Sequence, residues 1–241
     1  MDNQLEICSF NIQSALIAQE SGAQRVELCA DPAGGGTTPS YGLIKKAREL
    51  LHIQLYPIIR PRGGDFLFND EEFEIMQTDV ANCKRLGCDG VVIGMLHADG
   101  SIDKKRCAQL VQLAYPLGVT FHRAFDHAAN PFNALEEIID IGCERILSSG
   151  QKPTAMEGSS LLKELIAKAE GRIIIMPGSG VRSNNVMELK EKTGAVEFHT
   201  SARTTIKSPM QFINESMEEE GAMTMVDEKE LKEIVQLLKN G

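Results

Sequence analysis

The chain has 241 residues and a formal net charge of −9. Its length is close to the roughly 250 residues typical of one eight-fold β/α barrel, which leaves no room for a second domain. The acidic balance argues against a nucleic-acid surface, which needs a basic face. No apolar run approaches the roughly 20 residues of a membrane span, and Met1-Asp2-Asn3-Gln4 lacks the basic and apolar stretches of a signal peptide.

Eight apolar segments read as strands, at about 4–10, 25–30, 53–60, 90–96, 118–125, 145–150, 172–178 and 195–201. Most are continuous apolar runs, as parallel strands covered by helices require. Helices fill the gaps. Asn11 is placed to cap the first, its side chain accepting from free amides one turn on. Asp70-Glu71-Glu72 opens the third and sets acidic charge at the positive end of the helix dipole. Pro131 stands just inside the fifth, where a missing N–H is harmless. Asp227 starts the last, whose Leu231, Ile234, Val235 and Leu238 share one face.

One phrase recurs four times: Gly22-Ala23, Gly87-Cys88, Gly142-Cys143 and Gly194-Ala195, each followed by an apolar run. Each Gly stops a helix, since it takes the left-handed C-terminal cap cheaply. The copies are roughly 50 to 65 residues apart, about two β/α units. The fold class is therefore α/β, a single (β/α)8 barrel over residues 1–241, with its chemistry at the carboxyl ends of the strands. The segment from 204 to 226, with Glu218-Glu219-Glu220 and Met217, Met223 and Met225, reads as a mobile surface loop, a lid over the barrel mouth being the alternative.

Alternation decides which strand residues face the barrel axis. It turns Glu6 and Cys8 inward on the first strand, Glu27 and Cys29 on the second, and Glu197, His199 and Ser201 on the eighth. The fifth adds His122 and, just beyond it, Asp126. The third ends in Arg60 and Arg62. Buried unpaired, such groups would cost several kcal/mol each. They either pair internally, for example Glu6, Glu27 and Glu197 with Arg60, Arg62 and Arg123, or line a site. In a site, Glu27, His122, Asp126 and His199 are the candidates for acid–base work.

Six cysteines with no Cys-x-x-Cys pair suit reduced thiols in cytosol. Cys8 and Cys29 each follow an inward Glu by two residues on neighbouring strands, roughly 5 Å apart if level. They are either two inert buried thiols or a pair for a soft ion such as Cu(I). Pro177-Gly178-Ser179-Gly180 follows the seventh strand, with the next helix expected near Ser183. It is either a tight turn or an anion site at a helix start, joined by Ser149 and Ser201. Arg60 and Arg62 offer guanidinium groups to carboxylate or phosphate.

Arg60-Pro61-Arg62-Gly63-Gly64-Asp65-Phe66 and His122-Arg123-Ala124-Phe125-Asp126 resemble the two signature stretches of the CutC copper homeostasis family. Val26-Glu27-Leu28-Cys29, Gly35-Gly36-Thr37-Thr38-Pro39-Ser40, Ser149-Gly150 and His199-Thr200-Ser201-Ala202 extend the resemblance from about residue 4 to 240. It implies a cytoplasmic barrel, often dimeric and so expected to be a homodimer, named for copper handling. It favours Cys8 and Cys29 as Cu(I) ligands, since cysteines are common there in the family. The alternative is a barrel enzyme acting on a small anionic or phosphorylated metabolite, with Arg60, Arg62, Ser149, Gly178, Gly180 and Ser201 holding the anion.

Overall fold

The computed structural model describes residues 3–212, 214, 216 and 221–241. Strands and helices alternate as β1 (Gln4–Ser9), α1 (Ile12–Glu20), β2 (Arg25–Leu28), α2 (Tyr41–Leu50), β3 (Gln54–Pro57), α3 (Asp70–Leu86), β4 (Gly90–Ile93) and α4 (Lys104–Ala114). They continue as β5 (Gly118–Phe121), α5 (Pro131–Asp140), β6 (Arg145–Ser148), α6 (Ser159–Ala169), β7 (Ile174–Pro177), α7 (Val186–Thr193) and β8 (Glu197–Thr200). An antiparallel pair, β9 (Arg203–Ile206) and β10 (Met223–Val226), precedes α8 (Glu228–Asn240).

The first eight strands form a (β/α)8 barrel. One parallel run is β3-β2-β1-β8 and the other is β4-β5-β6-β7. They join where Ile58 bridges Val92, and β7 lies beside β8.

The helix signals act as the sequence predicts. Asn11 accepts from the Ser14 amide, Asn69 and Glu72 form a reciprocal capping box ahead of Asp70, and Asn130 caps the helix opened by Pro131. Gly22, Gly87, Gly142 and Gly194 all have positive φ, where a side chain would be strained. Leu231, Ile234, Val235 and Leu238 are buried together on α8.

Two apolar clusters follow from strand alternation. Leu5, Ile7, Val26, Leu28, Leu55 and Ile93 belong to the large layer between sheet and helices. Burying each such side chain contributes roughly 1.5–3 kcal/mol. Cys29, Tyr56, Ile58 and Val92 form a smaller cluster, with Cys8 and Phe10 against it. The Tyr56 ring fills space left by glycine: a Cβ on Gly90 would come within 2.2 Å of it.

Two sequence expectations are corrected. The ends of the 204–226 segment are not loop but the arms of the β9–β10 hairpin. Arg203-Thr204-Thr205-Ile206 and Met223-Thr224-Met225-Val226 are rich in residues that favour a pleated surface. Met217 and Glu218-Glu219-Glu220 lie outside the described residues. The helix after β7 starts at Val186 rather than near Ser183, because the Asn185 side chain accepts from the Arg182 amide and holds the preceding residues in a turn.

Candidate functional site

A charged layer lies inside the barrel beneath the mouth. Arg25 on β2 bonds Glu6 on β1 and, at 2.7 Å, Glu197 on β8. Arg145 on β6 bonds Glu197 at 2.6 Å and Glu144 at 2.8 Å. All four of Arg25, Arg145, Glu6 and Glu197 are buried, so each charge needs its partners. This corrects the expected pairing with Arg60, Arg62 and Arg123. The true cations open the strands read at 25–30 and 145–150, and neither was assigned a face in the sequence. Arg25 shares the face of Glu27, and Arg145 that of Leu147. The same alternation, carried one step back, finds both.

Above this layer sits the reactive group. Glu6 Oε1 lies 2.7 Å from His199 Nδ1, and His199 Nε2 lies 3.8 Å from Glu27 Oε2. The sulfurs of Cys8 and Cys29 are 3.5 Å apart, at hydrogen-bond distance. Their backbones are not level. Cys8 registers against Glu27, and Glu6 against Arg25. The sulfurs meet on the diagonal, which corrects the simple picture of two equivalent positions. One ligand atom each from Cys8, Glu27 and Cys29 falls within 4.8 Å of the others.

The surroundings set the charges. Burial works against ionised Glu6, but Arg25, His199 and Arg145 hold it down to about 2. Burial likewise opposes charge on His199, yet Cys8, Glu6 and Glu27 lift it to about 10. The hydrogen bond with Cys29, aided by His199, outweighs burial and brings Cys8 down to about 6. Burial raises Cys29 well above the usual thiol range, and burial with the neighbouring Cys8 raises Glu27 well above the usual carboxylate range. The group thus offers one thiolate, one protonated thiol and an imidazolium near neutral pH.

A cavity of about 260 Å³ opens over this group, with Cys8, Glu27, His199, Arg60, His122 and Phe66 among its lining. The structure therefore brings together Cys8, Cys29, Glu27 and His199, with His122 and Arg60 above them. His122 Nδ1 accepts from the Ala124 amide at 3.1 Å. Burial and then Arg60 depress it to about 3, so it is neutral.

The other expected site residues stand apart. Asp126 accepts from Ser148 Oγ at 2.6 Å, from the Ser149 and Gln151 amides and from Ser149 Oγ, and pairs with Arg123 at 2.9 Å. It orders the loop after β6, and Ser149 is held within that network. Arg62 is engaged by Glu72 at 2.6 Å and Asp65 at 3.0 Å and does not line the mouth cavity. Gly178 donates to the Ser148 carbonyl, and a Cβ there would come within 2.4 Å of Leu147. Gly180 has positive φ, and its carbonyl accepts from Asn185. Ser201 is half-buried just past β8.

The amide and hydroxyl of Ser183, near which the sequence placed the helix start beside the candidate anion loop, bond the Glu230 carboxylate at 2.8 and 3.0 Å. Glu230 reaches in from α8, a long-range pairing that no local pattern signals.

Arg60, Phe66, His122 and Arg123 of the two signature stretches line the mouth cavity, and the CutC family profile matches residues 3–204. The chain belongs to the CutC family. A CutC family protein of Xylella fastidiosa is 48% identical over 238 residues, 98% of this chain and 89% of that protein. The human protein named copper homeostasis protein cutC homolog is 46% identical over 213 residues, 88% of this chain and 78% of its own length. A solved CutC protein from Streptococcus agalactiae superposes with a TM-score of 0.79 at 34% identity, covering 83% of this chain and 98% of that one. Phosphoribosylanthranilate isomerase of Thermotoga maritima matches 99% of this chain with a TM-score of 0.64 at 14% identity, a likeness of fold alone. Among the described residues no helix is long and apolar enough to cross a membrane.

Proposed function

We propose that this chain is a cytoplasmic copper homeostasis protein, working as a homodimer, that takes Cu(I) between Cys8 and Cys29. The observation that carries this reading is the pair of sulfurs 3.5 Å apart, that of Cys8 at the lining of an open cavity and that of Cys29 buried behind it. Soft thiolate ligands select Cu(I). The donor set fits that ion: two sulfurs with one carboxyl oxygen close by. Structural zinc asks for four ligands in a tetrahedron, whereas the group found among the described residues has three members, Cys8, Glu27 and Cys29. Cys8, already brought down to about 6, would give up its proton readily at neutral pH, and ligand deprotonation is what metal binding requires. The copper-linked name of the human relative points the same way.

The test is an anaerobic Cu(I) titration of reduced protein against a competing chelator. Wild type is compared with a variant carrying Cys8→Ser and Cys29→Ser. One-to-one binding that weakens by at least about 100-fold in the variant, roughly 2.7 kcal/mol, supports the reading. Unchanged affinity in a folded variant overturns it.

A further inference from the structure

A site for a single ion has no use for the volume above it. About 260 Å³ is the room of some eight or nine waters at about 30 Å³ each, close to the lower end of small-molecule pockets. Beside Cys8, its walls carry Arg60, Arg123, His122 and His127.

Arg60 is the first of two observations. It is buried at 4% exposure. Its guanidinium donates to three carbonyls, those of Gly34 at 2.8 Å, Gly36 at 2.9 Å and Gly64 at 2.7 Å. Among the described residues no carboxylate lies within ion-pair distance of it. Asp31 and Asp65 act on it only from farther off, and burial and Arg62 work against its charge. Its Nε has no acceptor. Neutral carbonyls orient a buried cation without balancing it, and such a cation is costly until an anion arrives.

His122 is the second. Its Nδ1 accepts from Ala124, so the ring proton sits on Nε2. That Nε2 is buried and has no partner. The Phe66 ring packs against both groups, 4.8 Å from the Arg60 guanidinium and 5.0 Å from the imidazole. One positive and one neutral side chain therefore line the same cavity, each carrying a buried N–H without an acceptor.

We propose that the mouth cavity binds a small organic carboxylate, its oxygens taken by Arg60 and His122 and its other end directed to the Cys8 thiol. A monoanion matches one uncompensated guanidinium. A phosphate dianion fits less well, since the one guanidinium there without a carboxylate balances only one of its two charges. The inference does not rest on the copper reading, because neither Arg60 nor His122 belongs to the sulfur pair.

The experiment uses reduced, metal-free protein labelled with ¹⁵N in its histidine side chains. Pyruvate, lactate and inorganic phosphate are titrated to roughly 20 mM, well above the ~1 mM upper end of common substrate KM values. At least one carboxylate is expected to shift the His122 Nε2 resonance saturably and to bind more tightly than phosphate. Binding should weaken at least about tenfold, roughly 1.4 kcal/mol, in His122→Phe, where the resonances of His199 and His127 at the same cavity report it, and survive in the Cys8→Ser, Cys29→Ser double variant. No shift with either carboxylate overturns the proposal, as do tighter binding of phosphate and unchanged binding in His122→Phe. If His122→Phe fails to fold, the resonance shifts of the wild-type protein decide the matter.

Discussion

Glu6 and His199 face each other across neighbouring parallel strands, with Oε1 and Nδ1 2.7 Å apart and their backbones in register. The other carboxylate oxygen of Glu6 is bonded to Arg25. One buried acid therefore links the structural ion layer of the barrel to the thiol group above it. The stability of the fold and the charge of the site are set by the same residue.

Replacing that acid tests the linkage. Glu6→Gln removes a buried anion from Arg25, whose remaining carboxylate is Glu197. Breaking a buried pair from one side costs about 3–5 kcal/mol. Urea unfolding should show a loss in that range. A loss below about 1 kcal/mol would mean that Glu197 alone satisfies Arg25.

The pH dependence of stability follows from the same pair. Glu6 titrates at about 2 in the fold against an ordinary 4.5, so its contribution is complete above about 4.5 and drains away as pH falls toward 2. His199 runs the other way. Held up to about 10 from 6.5, it contributes fully below about 6.5 and loses that contribution as pH rises toward 10. Cys8, brought down from 9 to about 6, opposes the His199 contribution between about pH 6 and 9, so urea midpoints should fall clearly only below about pH 4.5, where Glu6→Gln should flatten the acid limb.

Barrel class, strand order of appearance and caps were legible in the sequence because each rests on local pattern. Glycine after a helix, alternation along a strand and Asn or Pro at a helix start need no knowledge of distant chain. What escaped were pairings across the barrel. Arg25 and Arg145 find Glu197 from residues 172 and 52 positions away. Glu230 meets Ser183 from 47 positions away. The stagger between β1 and β2 also set Cys8 against Glu27, which side-by-side counting could not reveal.

Cys8 should be the reactive cysteine. It is half-buried with a thiol near 6, whereas Cys29 is buried and stays protonated. The alkylation rate of Cys8 in metal-free protein, followed by peptide mass spectrometry, should rise with a midpoint near pH 6. A midpoint near the roughly 8.5 of a free thiol would show that Cys29 and His199 do not stabilise the thiolate.

Asp126 is expected to matter for order rather than proton transfer. It accepts from two hydroxyls and two amides and pairs with Arg123. Asp126→Ala leaves several of those donors without a partner, at about 1–3 kcal/mol for each one that stays buried. Amide hydrogen exchange at residues 149–151 should accelerate in the variant, while Cu(I) affinity holds.

The account turns on copper meeting sulfur between Cys8 and Cys29. X-ray absorption at the copper edge of protein loaded with one equivalent of Cu(I) reads the ligands directly. Two sulfur neighbours in the wild type, absent from the variant with Cys8→Ser and Cys29→Ser, is the predicted result. A shell of nitrogen and oxygen alone in the wild type would contradict it.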